Sequence, residues 1–108
     1  MKPLDFGWLV GLIEGEGTFA KMLANKGHGK IALTMTDGDV MARAARLFGR
    51  KLQGPFRRPS APKTRKPKYT VEIAGEPGRR WARCLYKHLG ARRRAQIANV
   101  WYGGTRVR

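Results

Sequence analysis

The sequence predicts an α+β fold whose elements follow one another in the order α-β-β-α-β-β-α-α. Three observations predict it. Apolar residues recur at helical spacing from Pro3 to Glu16, strict period-two alternation runs from Lys30 to Thr36, and Gly, Pro, Asn and Asp punctuate the chain between short segments of one kind or the other.

The first helix is expected over Pro3 to Glu16, with Pro at its start and Leu4, Trp8, Leu9, Leu12 and Ile13 at helical spacing. Thr18 to Ala24 is a strand candidate, closed by a turn over Asn25-Lys26-Gly27-His28-Gly29. In Lys30 to Thr36, Ile31, Leu33 and Met35 take one face and Lys30, Ala32, Thr34 and Thr36 the other, so one side can pack on helices while the other meets solvent or a ligand. Thr36-Asp37-Gly38-Asp39 offers N-cap oxygens to a helix running to Leu47 and stopped by Gly49. Lys51 to Arg57 reads as a strand that Gly54-Pro55 confines to an edge or a bend, and Tyr69 to Ala74 as a stronger one. Glu76-Pro77 opens a helix to Leu89, with Gly90 expected as its left-handed cap, and Arg92-Arg93-Arg94 begins a last helix through Trp101.

Charge is the dominant compositional fact. The 108 residues carry 23 Lys and Arg against 7 Asp and Glu, a net charge of +16 and a pI near 11.3. That balance fits a polyanion far better than a neutral substrate, and the bases are scattered through folded-looking segments without the basic amphipathic helix of an interfacial binder, so nucleic acid is favoured over a membrane surface. The length suits one domain over residues 1–108 with a single modest core. No run of about 18 apolar residues and no signal-peptide pattern is present, so an intracellular location is expected, its compartment open. Cys84 alone can form neither an intrachain disulfide nor a Cys-based zinc site and, with apolar neighbours, is expected in the core. His28 and His88 sit in no ligand spacing, and the glycines of Gly11 to Gly17 lack the lysine of a phosphate-binding loop.

Against that background, two of the seven acids lie inside an apolar, glycine-punctuated segment, Trp8-Leu-Val-Gly-Leu-Ile-Glu-Gly-Glu-Gly-Thr-Phe19. Unpaired carboxylates in such surroundings cost several kcal/mol unless a cation, a metal or hydrogen bonds compensate. Residues two apart on a helix point about 200° away from each other, so Glu14 and Glu16 cannot share a face. Gly15 and Gly17 are expected to end the helix with Glu16 at its C-terminal tip, where the helix dipole disfavours an anion and a bound Mg²⁺ would reverse that sign. The Glu16 carboxylate and the Gly15 carbonyl are both hard oxygen donors suited to it. Glu14 has two readings, chemistry or a hydrogen bond to backbone or a neighbouring base, and both acids also read as solvated helix-end carboxylates of a surface amphipathic helix. Gly7, Gly11 and Gly15 line one helix face; each costs about 1 kcal/mol relative to Ala, and the usual compensation is close approach of another backbone.

Leu9-Val10-Gly11-Leu12-Ile13-Glu14-Gly15-Glu16-Gly17, followed by Thr18-Phe19, resembles the defining motif of the LAGLIDADG homing endonucleases, with Glu at both acidic positions of the family name. Met35-Thr36-Asp37 and His88-Leu89-Gly90-Ala91-Arg92-Arg93-Arg94-Ala95-Gln96 look like weaker recurring features of its single-motif members. The resemblance implies an αββαββα core, with a saddle of antiparallel strands, helices on its convex face and DNA in its concave groove. It implies a homodimer through the motif helix, with Gly7, Trp8, Gly11, Leu12 and Gly15 at the interface, a divalent ion (Mg²⁺ or Mn²⁺) at Glu16 and the Gly15 carbonyl, and Glu16, Glu14 and Asp37 as catalytic candidates. Arg80 and Arg83 are candidates for an accessory basic group, and Asp37 also reads as a simple helix cap.

The expected reaction is hydrolysis of both strands of a roughly two-fold symmetric DNA site. Arg57, Arg58, Lys63, Arg65, Lys66 and Lys68 form a proline-punctuated basic loop that reads either as a phosphate contact or as a solvated hairpin tip, while Lys30, Thr34, Thr70 and Glu72 lie on the expected polar strand faces where base edges can be read; Lys21, Lys26 and Gln53 complete the candidate DNA contacts. Alternatives are a non-catalytic nucleic-acid binder on the same fold, either an intron RNA maturase or a DNA-binding regulator, and a ribosome-associated RNA-binding protein.

Overall fold

A computed structural model describes residues 1–22, 29–60 and 62–103. The elements are Pro3–Glu16 (α1), Thr18–Lys21 (β1), Gly29–Met35 (β2), Gly38–Phe48 (α2), Gln53–Phe56 (β3), Lys68–Ala74 (β4), Gly75–Tyr86 (α3) and Ala91–Trp101 (α4). The four strands form one antiparallel sheet in the order β1-β2-β4-β3. The order is the expected one, and the class is α+β.

Local chemistry sets most of the boundaries. Pro3 opens α1 at a position where its missing N–H costs nothing. The Asp37 side chain accepts from the Val40 N–H at 3.2 Å to cap α2, which ends in left-handed Gly49 (φ 68°), with the Arg50 N–H returning to Ala45 O at 2.9 Å. β3 is an edge strand whose register with β4 shifts between Gln53 and Phe56, as Gly54-Pro55 implied.

The register explains how one sheet serves two environments. Phe19, Ile31 and Ile73 lie side by side across β1, β2 and β4, as do Leu33 and Val71, and this face meets the helices. All four helices contribute to the same core, among them Leu9 and Ile13 from α1, Met41 and Phe48 from α2, Ala82 and Leu85 from α3, and Ile97 from α4. At about 1.5–3 kcal/mol per large buried side chain, this layer dominates the stability of the fold. The opposite face carries the rows Ala20–Lys30–Ala74, Thr18–Ala32–Glu72 and Thr34–Thr70–Gln53.

Two expectations fail here and a third is met only in part. Gly90 is not a left-handed cap: α3 stops at Tyr86 in tight turns (His88 N–H to Leu85 O, Leu89 N–H to Tyr86 O), and Gly90, extended at φ −71°, is the N-cap residue of α4. Cys84 is exposed, because the buried stripe of α3 runs through Gly78, Ala82 and Leu85 and Cys84 lies about 200° around the helix from Ala82. The first strand ends at Lys21; the expected turn at residues 25–28, and with it Lys26 and His28, lies outside the described residues.

Candidate nucleic-acid interface and catalytic tip

The polar face of the sheet continues into an open groove of about 390 Å³ lined by Thr34, Phe56, Arg57, Arg58, Arg65, Lys66, Lys68 and Thr70. Among the described residues, five cations line it and no carboxylate does. Its floor is tied across strands where Thr34 and Thr70 share a hydrogen bond at 3.2 Å; farther along the same sheet face, outside the groove lining, Lys30 donates to Glu72 at 2.9 Å. Such half-exposed ion pairs contribute at most about 1 kcal/mol, so Lys30–Glu72 fixes side-chain directions more than it stabilises. The basic loop is held to itself, Arg57 donating to Lys63 O at 3.0 Å and the Arg65 N–H to Pro62 O at 3.0 Å. Its cations stay exposed.

The structure therefore brings Lys30, Thr34, Gln53, Thr70, Glu72, Arg57, Arg58, Arg65, Lys66 and Lys68 to one side of the sheet. Lys21 departs from the expectation. Its alternation places it with Phe19 and opposite Gly29, the parity of the helix-covered face. Phe56 was not singled out from sequence: it is 55% exposed within the groove wall, and an apolar residue in a short Gly-Pro strand gives no local signal of that.

α1 ends beside this sheet with both motif acids in its last turn, and they have different surroundings. Glu14 is engaged by the chain itself. Its Oε1 accepts the Gly90 N–H, its Oε2 lies 3.7 Å from Arg93 Nε, and its backbone carbonyl accepts from that same Nε at 3.0 Å. Glu16 is exposed, with no ion pair or side-chain hydrogen bond among the described residues. Gly17 must be glycine here, since an added Cβ would lie 2.7 Å from Ile13 O.

Asp37 spends its carboxylate on the α2 cap, and among the described residues no three His, Cys, Asp or Glu side chains gather to hold an ion. Glu14, Glu16 and Asp37 thus form no single cluster. Arg80 and Arg83 sit on the outer surface of α3, Arg80 beside Pro77, Trp81 and Cys84 and Arg83 beside Phe6, Lys87 and His88; the other face of α3 packs on the sheet, so neither reaches the groove.

The glycine face of α1 is open. An added Cβ at Gly7, Gly11 or Gly15 meets nothing within 4 Å, and Leu4 nearby is 83% exposed. Trp8 and Leu12, expected on the same face, turn partly inward: Arg43 Cζ lies 4.2 Å from the Trp8 ring centroid while also bonding Asp5 at 3.1 Å, and Leu12 packs against the core. The reason is that α1 is apolar all round and must satisfy α2 and the sheet as well as any partner.

No protein-family model matches the sequence, and no curated protein matches it either. Solved structures do. The homing endonuclease I-CvuI, solved on target DNA with Mg²⁺ and the DNA uncleaved, superposes with a TM-score of 0.62 at 14% identity over 87% of this chain and 61% of that one. The archaeal intron-encoded homing endonuclease I-Vdi141I in complex with DNA gives 0.59 at 14% identity, covering 89% of this chain and 67% of that one. The group I intron-encoded I-CeuI with DNA gives 0.58 at 14%, covering 91% and 52%. The chain spans about three-fifths of the length of I-CvuI and half that of I-CeuI. Among the described residues no helix is long and apolar enough to cross a membrane. With its motif helix first and its antiparallel sheet behind it, the chain has the fold of the LAGLIDADG homing endonucleases.

Proposed function

We propose that the protein is a site-specific DNA endonuclease of the single-motif LAGLIDADG type, working as a homodimer with a divalent ion on a roughly two-fold symmetric duplex. The observation that carries the reading is the pairing, within one fold, of an exposed Glu16 at the motif-helix tip, without a side-chain partner among the described residues, with a groove that among those residues is lined by five cations and no carboxylate. A regulator or maturase would also need the groove; retention of both motif acids favours the enzyme, whereas a maturase could keep them as relics.

The donor set at the tip fits Mg²⁺ or Mn²⁺. Glu16 and the Gly15 carbonyl are hard oxygens, and one copy supplies too few of them alone, which suits a site completed by phosphate, water and a second copy. The bound ion supplies charge stabilisation on the attacking and leaving oxygens and a more acidic water. The chain positions everything else. Two Glu16 side chains brought together at a dyad repel unless a cation lies between them, a physical source of metal dependence. The open face at Gly7, Gly11 and Gly15 is where a second α1 approaches closely, as an isologous contact requires.

Arg57, Arg58, Lys63, Arg65, Lys66 and Lys68 hold phosphates, and Thr34, Thr70, Lys30, Glu72 and Gln53 face base edges. Neutralising Lys63, Arg65, Lys66 and Lys68 together should weaken binding on every sequence and flatten the slope of log K against log salt by about 0.9 per lost contact, with little change in thermal stability. Replacing Thr34 and Thr70 by Val should instead change which base pairs are preferred. A loop variant with the wild-type salt slope would move the phosphate contacts elsewhere.

Selection of cleaved duplexes from a random library, in Mg²⁺ and in EDTA, tests the function. One recurrent site cut only with Mg²⁺ is expected; binding without any cleavage would leave the regulator or maturase reading in its place.

A further inference from the structure

We infer that Arg93 is the positioning residue of the motif-helix tip, setting which oxygens of α1 remain available to a cation; this rests on the reading of Glu16 as the metal ligand. An α-helix leaves its last four carbonyls without intrahelical donors, here those of Ile13, Glu14, Gly15 and Glu16. The Gly17 N–H takes Ile13 O at 2.9 Å, and Arg93 Nε takes Glu14 O at 3.0 Å. Among the described residues, the oxygens left over are those of Gly15 and Glu16, beside the Glu16 carboxylate. Arg93 thus does by hydrogen bonding what the sequence of α1 cannot, since that helix has no basic residue in its own last turn to offset the negative end of its dipole.

The clamp is rigid for identifiable reasons. Arg93 is only 7% exposed, and a buried guanidinium must keep its partners: Glu14 O and Oε2 on one side, and Gln96 Oε1, to which Nη1 donates at 2.9 Å, on the other. Glu14 is gripped a second time by the Gly90 N–H, at the positive end of α4, where a Cβ would stand 2.9 Å from its Oε1. The residue two places before Glu16 is therefore fixed at both its backbone and its side chain, and the last turn of α1 cannot rotate independently of α4. The far end of α4 packs on the first hairpin: Trp101 meets Phe19 edge-on at 6.1 Å, and Gly29 leaves no room for a Cβ against Val100 and Trp101. One helix therefore ties the metal-ligand tip to the sheet whose other face forms the groove floor.

The test uses the dimer of this chain bound to its selected duplex, with free Mn²⁺ followed by electron paramagnetic resonance and cleavage followed against Mg²⁺ concentration. Arg93→Lys keeps the charge but loses the fork. Gly90→Ala pushes the Glu14 carboxylate from the exposed side while leaving the Arg93 side chain itself, and its bond to the Glu14 carbonyl, unaltered. Loss of an outer-shell partner typically costs 10–100-fold, so each variant is expected to weaken Mn²⁺ binding and raise the half-saturating Mg²⁺ by about tenfold or more. Duplex affinity without metal and sedimentation should be unchanged. A purely structural Arg93 would lower the melting temperature and leave the Mn²⁺ affinity of the folded complex alone. If Glu16→Gln abolishes Mn²⁺ binding while Arg93→Lys and Gly90→Ala bind it like wild type, the positioning role is overturned alone; if Glu16→Gln also binds Mn²⁺ like wild type, the metal-ligand reading falls and takes the positioning role with it.

Discussion

Glu16→Gln is expected to leave the dimer and its duplex affinity intact while cleavage in Mg²⁺ falls by more than about a hundredfold. The floor on that figure comes from metal sites in general: losing an outer-shell partner already costs about 10–100-fold, and Glu16 is here the ligand itself. The amide keeps the shape of the side chain and loses the anionic oxygen that a hard cation requires. Folding should not suffer, because Glu16 is exposed and bonds to nothing among the described residues. Rates of single-turnover cleavage beside a gel-shift titration separate the two effects. Unchanged cleavage would remove Glu16 from the chemistry. The equivalent change at Glu14 has a different signature, since that carboxylate caps α4 and pairs with Arg93, and its loss should lower the melting temperature.

Gly11→Leu is expected to break the dimer and leave a folded monomer. Most glycines in a packed protein are hard to test because the chain itself needs them, as Gly17 and Gly29 show by the backbone or side-chain atoms an added Cβ would strike. Gly11 is different. Nothing in its own chain lies within 4 Å of an added Cβ, and Leu is a better helix former than Gly, so the isolated fold should gain up to about 1 kcal/mol. A destabilised assembly with a stabilised monomer can arise only from a second chain seated on that face, where inserted side chains prevent close approach. Sedimentation velocity and thermal melts read both quantities, and an intact dimer in the variant would contradict the glycine-face interface.

What could be read from the sequence divides along sequence separation. The bounds of α1, the alternation of β2, the Asp37 cap and the Gly49 stop depend on neighbours within a few residues, and the structure has them where the residues imply. The failures depend on distant partners. Gly90 looked like a helix stop because a glycine after a leucine usually is one, yet its role is set by Glu14, 76 residues away in sequence. Cys84 had apolar neighbours in sequence but lies off the buried stripe that Gly78, Ala82 and Leu85 define. Trp8 and Leu12 lean inward because α1 is apolar all round, which leaves periodicity unable to assign faces.

Arg93 carried a usable signal that charge obscured. It lies four residues before Ile97 on the buried side of α4, and a basic residue in register with a core position must be paired, but three consecutive arginines conceal which one points in. Glu14 and Glu16 were separable by helix geometry alone, whereas the partner that distinguishes them comes from another helix.

The measurement that bears most directly on the whole account is strand-resolved mapping of the ends left on the selected duplex, with the mass of the protein–DNA complex determined alongside. One cut on each strand is expected, placed symmetrically about the centre of the site, Mg²⁺-dependent, and made by two chains per duplex. Scattered ends, a nick confined to one strand, or a single chain per cleaved duplex would contradict it.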